Sequence, residues 1–144
     1  MSLIFRKAQN LDIGVIKMIL QNENLPYQDI DLSNIELFLA FDATDFVGIV
    51  GLEKFADIVL LRSMVVLDGF RAKGYGRKIC NQILQMAKNE NIIEVFLLTC
   101  SAKDFFEHLG FEVIERKYVP DSIKSTTEFS GLCPESAMCM QFNL

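Results

Sequence analysis

Histidine is almost missing from this chain. His108 is the only one among 144 residues, and no Cys-x-x-Cys pair stands in for it. Cys80, Cys100, Cys133 and Cys139 are scattered and mostly embedded in apolar segments. A metal centre is therefore not expected, since such sites need clustered nitrogen and sulfur ligands. Long hydrophobic runs are missing too: no stretch of about 18 or more apolar residues offers a membrane span. The opening residues, MSLIFRKAQN, carry neither an apolar leader core nor a small-residue cleavage site. With no export signal, the four cysteines read as reduced thiols of a cytoplasmic protein. Positive charge is also in short supply. The chain has 14 Lys and Arg against 19 Asp and Glu, a net charge of −5 and a pI near 4.9. That balance argues against nucleic acid or an anionic membrane as partner, because both select a basic excess.

What the chain does have is core. It is 51% hydrophobic and 23% charged, enough for one domain spanning residues 1–144. Residues 2–7 read as a first strand. Asn10 is placed to cap a helix whose apolar face is Leu11, Val15, Met18 and Ile19, with Ile16 and Leu20 beside it. Residues 29–34 fit either a short helix or a loop. Residues 36–42 and 46–54 form a hairpin pattern around Ala43-Thr44-Asp45. Residues 58–67 are apolar apart from Arg62 and Ser63, so this strand is expected in mid-sheet, buried on both faces. A helix over 75–89 follows, with Tyr75, Ile79, Ile83 and Ala87 on one line and Cys80 and Leu84 on the next. Then come a buried strand at 92–99, a short helix at 102–109 stopped by Gly110, and a sixth strand at 111–119. A polar, turn-rich stretch at 121–135 precedes a last strand at 137–142. This order predicts an α/β fold. Its central sheet is mixed, mostly antiparallel, of six to seven strands, with helices on both faces.

The basic hexapeptide Arg71-Ala72-Lys73-Gly74-Tyr75-Gly76 stands out in so acidic a chain. It joins the mid-sheet strand to the 75–89 helix. The first N–H groups of a helix have no partner inside it, and the helix dipole adds positive potential there. Gly74 and Gly76 keep side chains away, while Arg71, Lys73, Arg77 and Lys78 add full charges. The arrangement suits a pyrophosphate; a tight turn with solvated cations is the other reading of the same residues. Two common phosphate patterns are missing. There is no G-x-x-x-x-G-K-[ST], and Lys78 and Ile79 follow where a G-x-G-x-x-G would need its third glycine.

The R-x-x-G-x-G turn, placed between a buried strand and an amphipathic helix, resembles the acetyl-CoA signature of the GCN5-related N-acetyltransferases. "FFEHLGF", Phe105 to Phe111, is similar to that family's helix end before the sixth strand. The tail "VPDSIKSTTEFSGLCPESAMCM", with "LLRSMVV" and "FLLTCSAKDFF", resembles a bacterial subgroup associated with arsenic resistance. The resemblance implies acetyl-CoA as co-substrate and direct attack of an amine on its thioester. It implies that Arg71, Ala72, Lys73, Gly74, Tyr75, Gly76 and Arg77 hold the pyrophosphate. The backbone of Met64, Val65, Val66 and Leu67 would line the pantetheine where the fourth strand splays from the fifth. A backbone N–H near Met64 or Val65 would polarise the carbonyl.

The chemistry also needs a base, an acid and an anchor for the acceptor. A glutamate that some members carry on the fourth strand falls near Leu60, which cannot serve, and Glu53 on the neighbouring strand is the nearest acid. A water chain is the alternative base, and a solvated strand end is the structural reading of Glu53. The family's usual tyrosine acid falls on Phe106, so Tyr118 on the sixth strand is the stand-in, with a buried structural tyrosine as the other reading. Cys100 is not expected to act as a covalent nucleophile, because His108 is no convincing partner for it. Arg62, a cation on an apolar strand, must be paired. Its partner is either the acidic group of a substrate or an internal acid, Glu53 or Glu36. Arg116, Lys124, Thr126, Thr127 and Glu128 are further substrate candidates in the tail, with Arg116 and Thr127 foremost. The set suits a small, anionic, amino-acid-like acceptor and a small-molecule partner. A protein N-terminal or lysine acetyltransferase and a non-catalytic acyl-CoA-binding module remain as alternatives. The oligomeric state stays open, a homodimer being one arrangement.

Overall fold

The computed structural model describes residues 3–144. Seven strands form one sheet: β1 (Ile4–Lys7), β2 (Glu36–Asp42), β3 (Asp45–Phe55), β4 (Ile58–Val66), β5 (Glu94–Thr99), β6 (Glu112–Ile114) and β7 (Met138–Asn143). Their order is β1-β2-β3-β4-β5-β7-β6. Among the described residues only β4 and β5 pair in parallel; all other neighbours are antiparallel. The mixed, mostly antiparallel sheet expected from the sequence is thus the one observed. Ser2, the start of the expected first strand, lies outside the described residues.

Helix α1 (Ile13–Asn22) packs on one face of the sheet. Its Ile16 and Leu20 meet Leu37, Leu39, Ile49 and Val65. This corrects the expected apolar face: Leu11, Val15 and Met18 are 91%, 49% and 56% exposed. Residues 11–20 are apolar nearly all round, so periodicity alone could not choose a side. Asn10 does not cap this helix either. A single 3-10 turn, Asn10–Asp12, leads in, and the Asp12 carboxylate accepts from the Gln9 N–H at 2.8 Å.

Helix α2 (Tyr75–Asn89) covers the opposite face with Ile79, Cys80, Ile83, Leu84 and Ala87, the stripe its repeat predicts. The short α3 (Lys103–His108) ends at Gly110, whose φ of 104° is the left-handed stop expected there. The sixth strand is shorter than its sequence suggests. It spans only Glu112–Ile114, and Arg116–Tyr118 turn into a 3-10 helix. Residues 29–34 are turns, without helix. The polar stretch after Pro120 holds α4 (Asp121–Lys124) and a turn of π-helix, Glu128–Leu132. It folds back over β4, β5 and β7, where Val119, Ile123 and Phe129 close a third apolar cluster with Leu60, Phe96 and Cys139.

Candidate active site

The site begins with a bulge. Ile49 of β3 pairs with Val65 and Gly51 with Arg62, so one residue of β3 opposes two of β4. Ser63, at φ 59°, absorbs the extra residue. The consequence is visible in the packing. Val59 and Leu61 point toward α2, yet Val65 points toward α1, while Met64 and Val66 take up the α2 side. Gly48 is needed beside the bulge: a Cβ there would lie 2.4 Å from the Val65 carbonyl oxygen.

β4 also leaves β5. Parallel pairing runs only from Ile58–Leu60 to their partners Glu94, Val95 and Phe96. Beyond that the strands part around a cavity of about 760 Å³. Its walls include Met64, Val65 and Val66 from β4, Leu97–Cys100 at the end of β5, and Phe105 and Phe106. Tyr27 and its neighbours after α1 form another side, and Glu128, Cys133 and Ala137 of the tail a third.

The glycine turn stands beside this opening. Gly74 has φ 84° and Ala72 φ 61°, two left-handed residues that turn the chain into α2. Gly76 sits where a Cβ would be 3.2 Å from Phe105 and 3.7 Å from Val66, both cavity residues. Lys73, Arg77 and Lys78 are exposed around the helix start, and Lys78 lies over the Tyr75 ring at 5.4 Å. The Tyr75 hydroxyl donates to Asp42. Arg71 lines the cavity and donates from Nε to the Val66 carbonyl at 3.0 Å, with Glu23 and Asp68 as its acidic partners. Leu67 is tied to β3 through its N–H to Val47 O at 2.9 Å.

Arg62 has no exposed side-chain surface and is shared by three carboxylates. Asp29 accepts from both terminal nitrogens, at 2.5 and 2.7 Å, and Glu53 accepts at 2.7 Å. Nε donates to Ser63 Oγ at 3.1 Å and stands 3.4 Å from Glu128 Oε2. Burial works against the guanidinium, but the bonds to Asp29 and Glu53 and the charge of Glu128 outweigh it and hold its pKa well above the usual value. Of the two internal partners expected, Glu53 is one; Glu36 instead serves Lys7 and Lys54. Asp29 and Glu128 complete a cluster that the sequence reading did not assemble.

Glu128 is the unusual member. It is 3% exposed and lines the large cavity, yet among the described residues no donor hydrogen-bonds its carboxylate. Burial above all, opposed by the charge of Arg62 and joined by those of Asp29 and Glu53, pushes its pKa up to about 7. Its neighbour Cys133 is pushed up to about 12, chiefly by burial.

The other expected site residues separate. Glu53 and Thr127 line a smaller cavity of about 370 Å³ on the far side of the cluster, with Asp29. Tyr118 is 67% exposed on the 3-10 turn and lines neither cavity, so it is not a buried tyrosine. The early end of β6 is the reason. Arg116 fastens the tail: it lies over the Phe129 ring at 5.0 Å and donates to the Pro134 and Ala137 carbonyls at 3.2 Å. Phe106 lines the cavity but is hydrocarbon; Tyr27, not singled out from sequence, lines the same cavity from another side. Glu128 lies in a stretch with no period, and nothing local marks it as the acid that meets Arg62.

Residues 33–113 match the family described as the acetyltransferase (GNAT) domain. The chain therefore belongs to the GNAT acetyltransferase family. An uncharacterized N-acetyltransferase of Chlorobaculum tepidum is 35% identical over 80 residues, 55% of this chain and 48% of that protein. The match thus spans about half the length of that curated relative. The N-acetylglutamate synthase of Neisseria gonorrhoeae, solved with coenzyme A and L-arginine, superposes with a TM-score of 0.80 at 17% identity. It covers 99% of this chain and 33% of that one. A GNAT-family acetyltransferase of Staphylococcus aureus gives 0.74 at 21% identity, with 99% of each chain covered. These matches carry the family and the fold; none of the three reaches the arsenic-resistance subgroup.

Proposed function

We propose that this protein is an acetyl-CoA-dependent N-acetyltransferase that passes the acetyl group directly to a small amine. One observation carries the reading: β4 leaves β5 after Leu60, and the gap between them opens beside the glycine turn of α2. The residues present suit acetyl-CoA. Free N–H groups of the first turn of α2, with Arg71, Ala72, Lys73, Gly74, Tyr75, Gly76 and Arg77 around them, would hold the pyrophosphate. The β4 edge at Met64, Val65, Val66 and Leu67 would take the pantetheine as an added strand. A backbone N–H at Met64 or Val65 would polarise the thioester carbonyl.

A small acceptor is favoured over a protein chain because the tail covers one side. Glu128, Leu132, Cys133, Pro134 and Ala137 wall the cavity where a polypeptide would need an open groove. The narrower reading, an anionic amino-acid-like acceptor held by Arg62, Arg116 and Thr127, has less behind it. The donors of Arg62 are spent on Asp29, Glu53 and Ser63, and Arg116 and Thr127 face elsewhere. Free-thiol release from acetyl-CoA with a panel of amines tests the proposal: L-glutamate, L-glutamine, L-arginine, a phosphinic amino acid, putrescine and a short N-terminal peptide. Thiol release with a small amine and product of the acetylated mass are expected. Turnover of the peptide alone points to the protein-acetylating alternative, and acetyl-CoA binding without any turnover to a non-catalytic module. Cytoplasmic residence and a homodimer stay proposals; among the described residues no helix is long and apolar enough to cross a membrane.

A further inference from the structure

The buried cluster around Arg62 holds three carboxylates for one cation. Asp29 and Glu53 take the guanidinium's terminal nitrogens and turn toward the smaller cavity. Glu128 gets only the flank of Arg62, whose Nε–H already goes to Ser63. A carboxylate this buried normally collects hydrogen-bond donors. This one has charge nearby and no donor among the described residues, and it lines the cavity that Met64, Val65 and Val66 wall. The missing donors are what an ammonium supplies, three at a time.

Resting on the acetyltransferase reading, we propose that Glu128 receives the acceptor's ammonium group and takes its proton, with Arg62 as the positioning residue that fixes its orientation. The steps balance. The ammonium gives one proton to a Glu128 oxygen and becomes a neutral amine. Its lone pair forms the new C–N bond at the thioester carbon. The C–S bond breaks with its electron pair going to sulfur, and the second nitrogen proton ends on that thiolate. Glu128 then returns its proton to water. A base near neutrality is suited to this task, strong enough to accept and weak enough to release. Glu53, the acid expected from sequence, is held by Arg62 and lines the other cavity, so it belongs to the positioning group.

The test joins a titration to a rate. Protein carrying 13C-labelled glutamate carboxyls is titrated by NMR, free and as Glu128→Gln. One carboxyl with a midpoint near 7 is expected, and its loss in the variant assigns it. Then kcat/KM is measured from pH 5.5 to 9.5 with the fastest amine of the panel above, for wild type, Glu128→Gln and Glu128→Asp. Wild type is expected to show a rising limb near pH 7, distinct from the amine's own ionisation at higher pH. Glu128→Gln should lose that limb and about 10²–10⁴-fold in kcat/KM. Its Kd for acetyl-CoA should stay within about twofold, and Glu128→Asp should recover part of the rate and the limb. A Glu128→Gln enzyme within about tenfold of wild type overturns the proposal, as does a variant whose acetyl-CoA affinity falls together with its rate. A wild-type protein that acetylates nothing in the panel overturns the function itself, and this inference with it.

Discussion

Arg62 and Glu128 make opposite demands on the fold. Replacing Arg62 by Leu leaves Asp29, Glu53 and Glu128 buried around a hydrocarbon, and the loss of one partner of a buried pair costs roughly 3–5 kcal/mol. We expect a fall in urea midpoint at unchanged slope, with Arg62→Lys intermediate because it keeps the charge and loses the fork. Glu128 behaves the other way. Its carboxyl rises from an ordinary 4.5 in the open chain to about 7 in the fold. The native state therefore binds more protons than the unfolded one between those values, and stability drains away as pH rises through that window. Glu128→Gln should be near neutral at pH 5 and should stabilise by roughly 1–3 kcal/mol at pH 8. Urea unfolding at the two pH values checks this. An equal effect at both would mean that Glu128 is ordinary packing.

At the scale of elements, the bulge in β4 and the glycine turn are one device. The bulge turns Met64 and Val66 toward α2 and frees the β4 edge, and the turn sets the start of α2 beside that edge. Gly48 is the tightest point, since any Cβ would drive into the Val65 carbonyl. Gly48→Ala must shift backbone, and we expect a loss of more than about 2 kcal/mol, larger than most point changes. Gly74→Ala meets no neighbour but must hold φ 84°, at about 1–2 kcal/mol. Its expected mark is selective: a modest fall in Tm and at least tenfold weaker acetyl-CoA binding by calorimetry. Acetyl-CoA binding unchanged in a folded Gly74→Val, Gly76→Val double variant removes the turn from the phosphate site.

Over the whole molecule, two blocks of sheet meet through a short parallel ladder. β1–β4 form one block and β5, β7 and β6 the other, joined at Ile58–Leu60 and sheathed by α2. A ligand laid along β4 in the gap would bridge them. Acetyl-CoA at about 100 times its Kd should add about 2.7 kcal/mol, visible as a rise in Tm. Hydrogen exchange should slow most at residues 64–67 and 97–100, one set in each block. Protection confined to the first turn of α2 would mean that phosphate is held but the gap is not.

The local order of the chain is legible in the residues alone. Helix α2 runs over the residues its repeat marks, the β2–β3 hairpin turns at the expected place, and the glycine turn lies between β4 and α2 as its residues imply. These features depend on neighbours a few residues apart, which is why spacing and turn chemistry reveal them. The rest depends on how the elements pack. Residues 11–20 are apolar apart from Asp12 and Lys17, and only contact with the sheet chose Ile16 and Leu20 for burial over Leu11, Val15 and Met18. The sixth strand pairs with β7 only over Glu112–Ile114, and the chain then turns into the 3-10 helix that leaves Tyr118 in solvent. Arg62 announced from sequence that it needed a partner, but the identity of that partner depended on where Asp29, Glu53 and Glu128 came to rest. Those three acids lie on a loop, a strand and a distant turn of π-helix. A buried charge is satisfied by whatever the fold brings within hydrogen-bond reach, and that distance is a property of the packed molecule.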